Sequence, residues 1–177
     1  MTKTKAFILT ILLTPIIAGL YGILHDQITY SISEESYTQF KFIQFGFLEK
    51  GEATIFPYPR LQVCAVGFLA TWWTGLIIGI NISLTSLMIK DPDLMFKALV
   101  RSIKVIFIIA FSIGLLGLLV GKFLNENSFN FPYELTDKKA FLMVGTMHTF
   151  SYIGGLIGLV TSLIFLFRLR RKTSTAC

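Results

Sequence analysis

Tyr21-Gly22-Ile23-Leu24-His25-Asp26-Gln27-Ile28-Thr29-Tyr30 closes an apolar run that starts at Ala6 and opens the one sizeable polar region of the chain. A bilayer core takes about 20 predominantly apolar residues in a helix, and residues 6–24 carry no charge. The stretch therefore reads as the outer rim of a membrane span, with a histidine and a carboxylate at its edge.

The rest of the chain agrees. Of its 177 residues, 54% are hydrophobic and 15% charged, and the mean hydropathy is +0.70. Soluble chains carry about 25% charged residues. The expected fold is all-α, an integral membrane four-helix bundle forming a single domain over residues 1–177, with spans near 6–25, 61–89, 93–124 and 137–168. The first span follows Lys3 and Lys5, but Ala18-Gly19-Leu20 is a poor cleavage site, so an uncleaved span is expected.

The net charge of +6 is a topology signal. Lys3, Lys5, Lys90, Lys97, Arg101, Lys104, Arg168, Arg170, Arg171 and Lys172 fall on one side of four spans with only Asp91 and Asp93, a net +8, which leaves −2 for the other side. Basic residues stay cytoplasmic, so both termini are expected in the cytoplasm of a cell whose inner (plasma) membrane holds the chain. That distribution argues against nucleic acid as a partner and for membrane lipid. Cys64 and Cys177 lie on opposite sides and cannot pair, and Cys177, with nothing after it, is no prenylation box.

Small residues recur every fourth position in Thr10, Thr14, Ala18 and Gly22, and again in Gly67, Thr71, Gly75, Gly79 and Ser83. Such stripes let helices approach closely. Gly114, Gly117 and Gly121 mark a packing face on the third span, and Ser151, Gly154, Gly155 and Gly158 one on the fourth. Trp72 and Trp73 are expected in an outer aromatic belt. Asp91-Pro92-Asp93 reads as a tight inner turn, and Thr136 or Asp137 as the cap of the last span. Between spans one and two lies an outer segment, about 26–60. Ser33 followed by Glu34 and Glu35 predicts a capped short helix over 34–41, and Phe40 to Phe47 is too aromatic for a free loop. A shorter outer loop holds Asn125 to Ser128 and Phe131-Pro132-Tyr133.

The two histidines stand at matched depth. His25 lies twenty residues after Lys5 and His148 twenty before Arg168, about 30 Å at 1.5 Å per residue. With spans one and four adjacent, the rings could meet. His25, Asp26, Glu34, Glu35 and His148 then form a candidate metal site for zinc, iron or copper, or a proton-handling pair. A plainer reading has His25 and Asp26 capping a helix end and His148 bonding across helices. No Glu-x-x-His or His-Glu-x-x-His motif is present. Ser151-Tyr152, one turn from His148, suggests a nucleophile without an elbow motif, and Asn81 suggests interhelical glue.

His25-Asp26-Gln27-Ile28-Thr29-Tyr30, then Ser33 to Phe42 with Gln44-Phe45, and Ala70 to Gly79 in span two, resemble a family of small four-span bacterial membrane proteins of unassigned function carrying an HDQxTY…FKFxQF outer motif. The resemblance implies a bacterial four-span protein and supplies no activity. Glu34 stands where that motif has proline. Three functions remain open: a binding or accessory protein acting through its aromatic outer segment on lipid, a membrane-protein partner or a second copy; a metal-dependent membrane enzyme or sensor; and a subunit of a transporter or channel.

Overall fold

The computed structural model describes residues 1–50, 57–131 and 134–174. Pro132, Tyr133 and Cys177, on which expectations were placed above, lie outside the described residues, as does part of the outer segment. Four helices are long and apolar enough to cross a membrane: α1 (Lys3–Ile32), α3 (Pro59–Ser86), α4 (Pro92–Phe123) and α5 (Lys138–Ser174). A π-helical turn at Tyr37–Lys41 runs into the three-residue α2 (Phe42–Gln44), and Glu126–Ser128 form a 3-10 turn. There is no strand among the described residues.

The helix ends follow from local chemistry. Thr2 caps α1 by accepting from the Lys5 N–H, and Asp91 caps α4 by accepting from Asp93, with Pro92 in the first turn. Asp137, one of the two residues expected to do so, caps α5 by accepting from the Ala140 N–H at 2.8 Å. Ser33 Oγ accepts from the Ser36 N–H, which starts the outer helical turn.

The helices pack as two antiparallel hairpins, α1 with α3 and α4 with α5, and contact between the hairpins is sparse. Within each hairpin the small-residue stripes interlock. A Cβ on Gly22 would run into the Gly67 carbonyl and Thr71, one on Gly75 into Ala18 and the Thr14 carbonyl, and one on Gly79 into Thr14. The close approach lets Thr71 Oγ1 donate to the Ala18 carbonyl at 2.8 Å. In the second hairpin, Gly114 leaves room for Ser151, Gly117 for Phe150, and Gly158 for Ile106.

Basic chain ends gather at one end of the bundle, where the Met1 ammonium meets Asp93 at 3.0 Å, Lys3 donates to the Leu87 carbonyl and Arg101 covers the Phe165 ring. An apolar core near that end joins Ile82, Ile89, Met95, Leu99, Ile106 and Leu166. A second core at the other end joins Tyr30, Tyr37, Phe42, Val63 and Val66.

Two expectations are corrected. Helix α1 does not stop at residue 25; it runs on to Ile32 because Asp26, Thr29 and Tyr30 keep a buried face against the outer segment. The outer helical turn begins at Glu35, close to its expected start, but ends later than residue 41, its π-helical part at Tyr37–Lys41 continuing into α2 to Gln44. Trp72 and Trp73 are at the midpoint of α3, exposed by 40% and 46%.

Candidate functional site

Between the two apolar cores sits a cluster of polar side chains drawn from three elements. Helix α1 supplies His25 and Asp26, α5 supplies His148 and Ser151, and the π-helical turn supplies Lys41. His25, Asp26 and Lys41 are each less than a tenth exposed. The outer segment folds back onto the bundle: Tyr37 and Phe42 are fully buried in the outer core, and that anchorage drives Lys41 inward. Tyr37 and Lys41, four residues apart, reach the same residue. Tyr37 Oη donates to the Asp26 carbonyl at 3.0 Å and Lys41 Nζ donates to Asp26 Oδ2 at 2.8 Å.

Lys41 Nζ also donates to His148 Nε2 at 2.5 Å. His148 Nδ1 faces the Val144 carbonyl at 2.8 Å; a carbonyl only accepts, so Nδ1 carries the proton and Nε2 is free to receive from the ammonium. Asp26 Oδ1 lies 3.2 Å from that same Nε2. Burial pushes the Lys41 ammonium below its ordinary value, and the adjacent Asp26 opposes the shift without cancelling it.

His25 faces the other way along the cluster. Its Nδ1 is 3.4 Å from Asp26 Oδ1 and its Nε2 is 3.0 Å from Ser151 Oγ. The carboxylate accepts only, which assigns the proton to Nδ1 and leaves Nε2 to receive the Ser151 hydroxyl proton.

Of the five residues expected to share a site, His25, Asp26 and His148 come together, with one ligand atom from each within 4.8 Å of the others. Glu34 and Glu35 do not join them. Glu34 Oε1 accepts from Tyr30 Oη at 2.9 Å. Glu35 takes the backbone N–H groups of Thr136 and Asp137 at 2.7 and 2.9 Å, tying the outer segment to the start of α5. Burial pushes the Glu35 carboxyl up, but the N–H groups of Asp137 and Thr136 outweigh it and hold the group below its ordinary value. The three remaining donors suit a divalent cation, yet the Lys41 ammonium already holds Asp26 Oδ2 and His148 Nε2, so a metal there would have to displace it.

Two cavities meet at this cluster. One of about 210 Å³ runs between the hairpins, walled by Ala18, Ile77, Ile106, Phe107 and Leu156 and ending on His25, Asp26, Lys41, His148 and Ser151. The other, about 590 Å³, lies between the outer segment, α3 and α5, with Phe40, Gln44, Trp73, Phe141 and Thr149 on its walls. Ala70, Lys41, His148 and Tyr152 border both. Trp73, Tyr152 and Leu156 on their walls are 46%, 49% and 63% exposed, so these clefts reach the lateral surface along the sparsely packed seam between the hairpins.

Sequence reasoning passed over Lys41 and set Ser151 aside. The signal for Lys41 was a single cation inside Phe40-Lys41-Phe42; for Ser151 it was the three-residue spacing from His148, which shares a helix face. No family model matches the chain, and comparison with curated proteins and with solved structures likewise finds no match.

Proposed function

We propose that this chain is a multi-pass protein of the bacterial plasma membrane, with both termini cytoplasmic, that binds an acyl-chain amphiphile from the lipid phase. The chain portion lies in the apolar cleft between the hairpins, and the polar head rests on Lys41, His148 and His25. One observation carries this reading: a laterally open, apolar-walled cavity ends on a buried cluster of two imidazoles, an ammonium and one carboxylate. Ligand sites are typically apolar clefts with a few convergent polar groups, and ionisable groups inside a membrane protein mark functional sites by default. The ten-to-two excess of basic over acidic residues at one end supports the orientation. The aromatic outer segment serves this site by carrying Lys41 into it.

Native mass spectrometry of the protein in nanodiscs tests the reading. Wild-type protein should retain fatty acid or a single-chain lipid. Lys41→Met should retain at least about tenfold less, the loss of one charge-assisted contact of about 1.5–3 kcal/mol. Ala70→Phe, which fills the wall common to both cavities, should block retention with the charged cluster intact. Equal retention by all three proteins would refute it.

A further inference from the structure

Ser and Thr hydroxyls in these helices mostly satisfy themselves on the carbonyl one turn back. Thr10, Thr14, Thr29, Ser31, Thr146, Thr149 and Thr161 all do so. Ser151 does not: its hydroxyl is paired across the bundle with His25 Nε2 at 3.0 Å, in a space that Gly114 leaves open. Behind the imidazole stands Asp26 at 3.4 Å from Nδ1, and in front lies the apolar cavity. Hydroxyl, imidazole and carboxylate in that order form the arrangement by which a neutral imidazole activates a serine oxygen, recognised by geometry rather than by sequence position.

We infer that Ser151 is a nucleophile that cleaves an ester of a hydrophobic acyl chain, with His25 as its general base. This rests on the acyl-binding reading above. Ser151 Oγ attacks the ester carbonyl carbon while its proton passes to His25 Nε2, and the carbonyl π electrons move to oxygen. Tyr21 Oη is a buried hydroxyl that lines the same cavity one turn along α1 from His25 and stands beside Ser151, which places it to donate to that oxygen. Collapse breaks the bond to the alcohol oxygen, which leaves with the proton from His25. Water, the second substrate, is deprotonated by His25 and attacks the acyl-serine ester; its proton returns to Ser151 Oγ. The sum is ester plus water to carboxylic acid plus alcohol, with no redox change.

The test uses a long-chain alkyl fluorophosphonate on detergent-purified full-length protein, read by intact mass and peptide mapping. One adduct on Ser151 is expected, absent in Ser151→Ala and formed about a hundredfold more slowly in His25→Gln, the scale of a general base. Size exclusion of each variant establishes folding. Ser151→Cys supplies an independent readout: alkylation by chloroacetamide should be markedly faster with His25 present than in the Ser151→Cys/His25→Gln double variant. Wild-type protein that retains acyl ligand but takes no adduct, or labels as fast without His25, overturns the nucleophile and leaves the binding reading standing. Loss of acyl retention itself, by contrast, removes the binding reading.

Discussion

His25 and His148 meet edge to face, their ring centroids 4.7 Å apart and their planes at 85°. They do so although α1 and α5 have little other contact, each being packed along its length on its own hairpin partner. The junction between hairpins is thus polar at one height, held by Asp26 and by a lysine lent from the outer segment. Five expectations follow from that arrangement.

Asp26 neutralises Lys41 in a buried setting. Removing one partner of such a pair costs about 3–5 kcal/mol, whereas exchanging both for apolar groups is often neutral. Asp26→Asn should therefore unfold at a much lower temperature than wild type in detergent, and Asp26→Leu/Lys41→Met should recover most of the loss. A double variant no better than Asp26→Asn would show that the pair does not act as a unit.

The hairpin crossing at Gly22 and Gly67 admits no side chain. Gly67→Leu should destabilise by about 1–3 kcal/mol or more, as overpacking does. A Cβ on Gly145 would meet nothing within 4 Å, so Gly145→Ala should stabilise α5 by about 1 kcal/mol through helix propensity. Thermal unfolding of the two variants compares them directly.

Glu35 fastens the outer segment to α5, and its carboxyl is held below the ordinary value of 4.5 in the folded state. A depressed carboxyl contributes stability that is present above its unfolded value and lost as pH falls through the folded one. Hydrogen exchange over residues 35–44 should accelerate below about pH 4.5 in wild type. Glu35→Gln should exchange faster at neutral pH and show little further change on acidification.

Lys41 occupies two of the three oxygen and nitrogen donors a cation would need. Lys41→Ala should bind zinc about 10–100-fold more tightly than wild type, the range in which outer-shell changes alter metal affinity. Isothermal titration with zinc alone reads this. Equal affinity would mean the ammonium does not compete at His25, Asp26 and His148.

Orientation is open to labelling. With Cys64 and Cys177 replaced by serine, a cysteine at Asn127 should react with an impermeant maleimide on intact cells, and one at Lys90 only after permeabilisation. The reverse pattern would invert the topology proposed from the basic residues.

Much of the fold was legible along the chain. A run such as residues 6–24 admits only a long apolar helix, and four-residue spacing of Thr10, Thr14, Ala18 and Gly22 announces close packing whatever the neighbour. Counting from Lys5 and Arg168 put the two histidines at one height because helical rise is constant. The carboxylates Glu34 and Glu35 were drawn into the site by proximity in sequence alone, and each is satisfied elsewhere, by Tyr30 and by the Thr136 and Asp137 amides just before α5.

The number of long apolar helices, their small-residue faces and the matched height of His25 and His148 were determined by the sequence itself, since composition and helical period are local properties. Which stripe meets which, and whether Lys41 or Ser151 belongs beside the histidines, was decided only by tertiary structure. Those partners come from residues 15 to 126 positions away, brought together by hairpin pairing and by the burial of Tyr37 and Phe42. No periodicity encodes that fold-back; it exists because two aromatic rings are better buried than exposed, and the lysine next to them goes where they go.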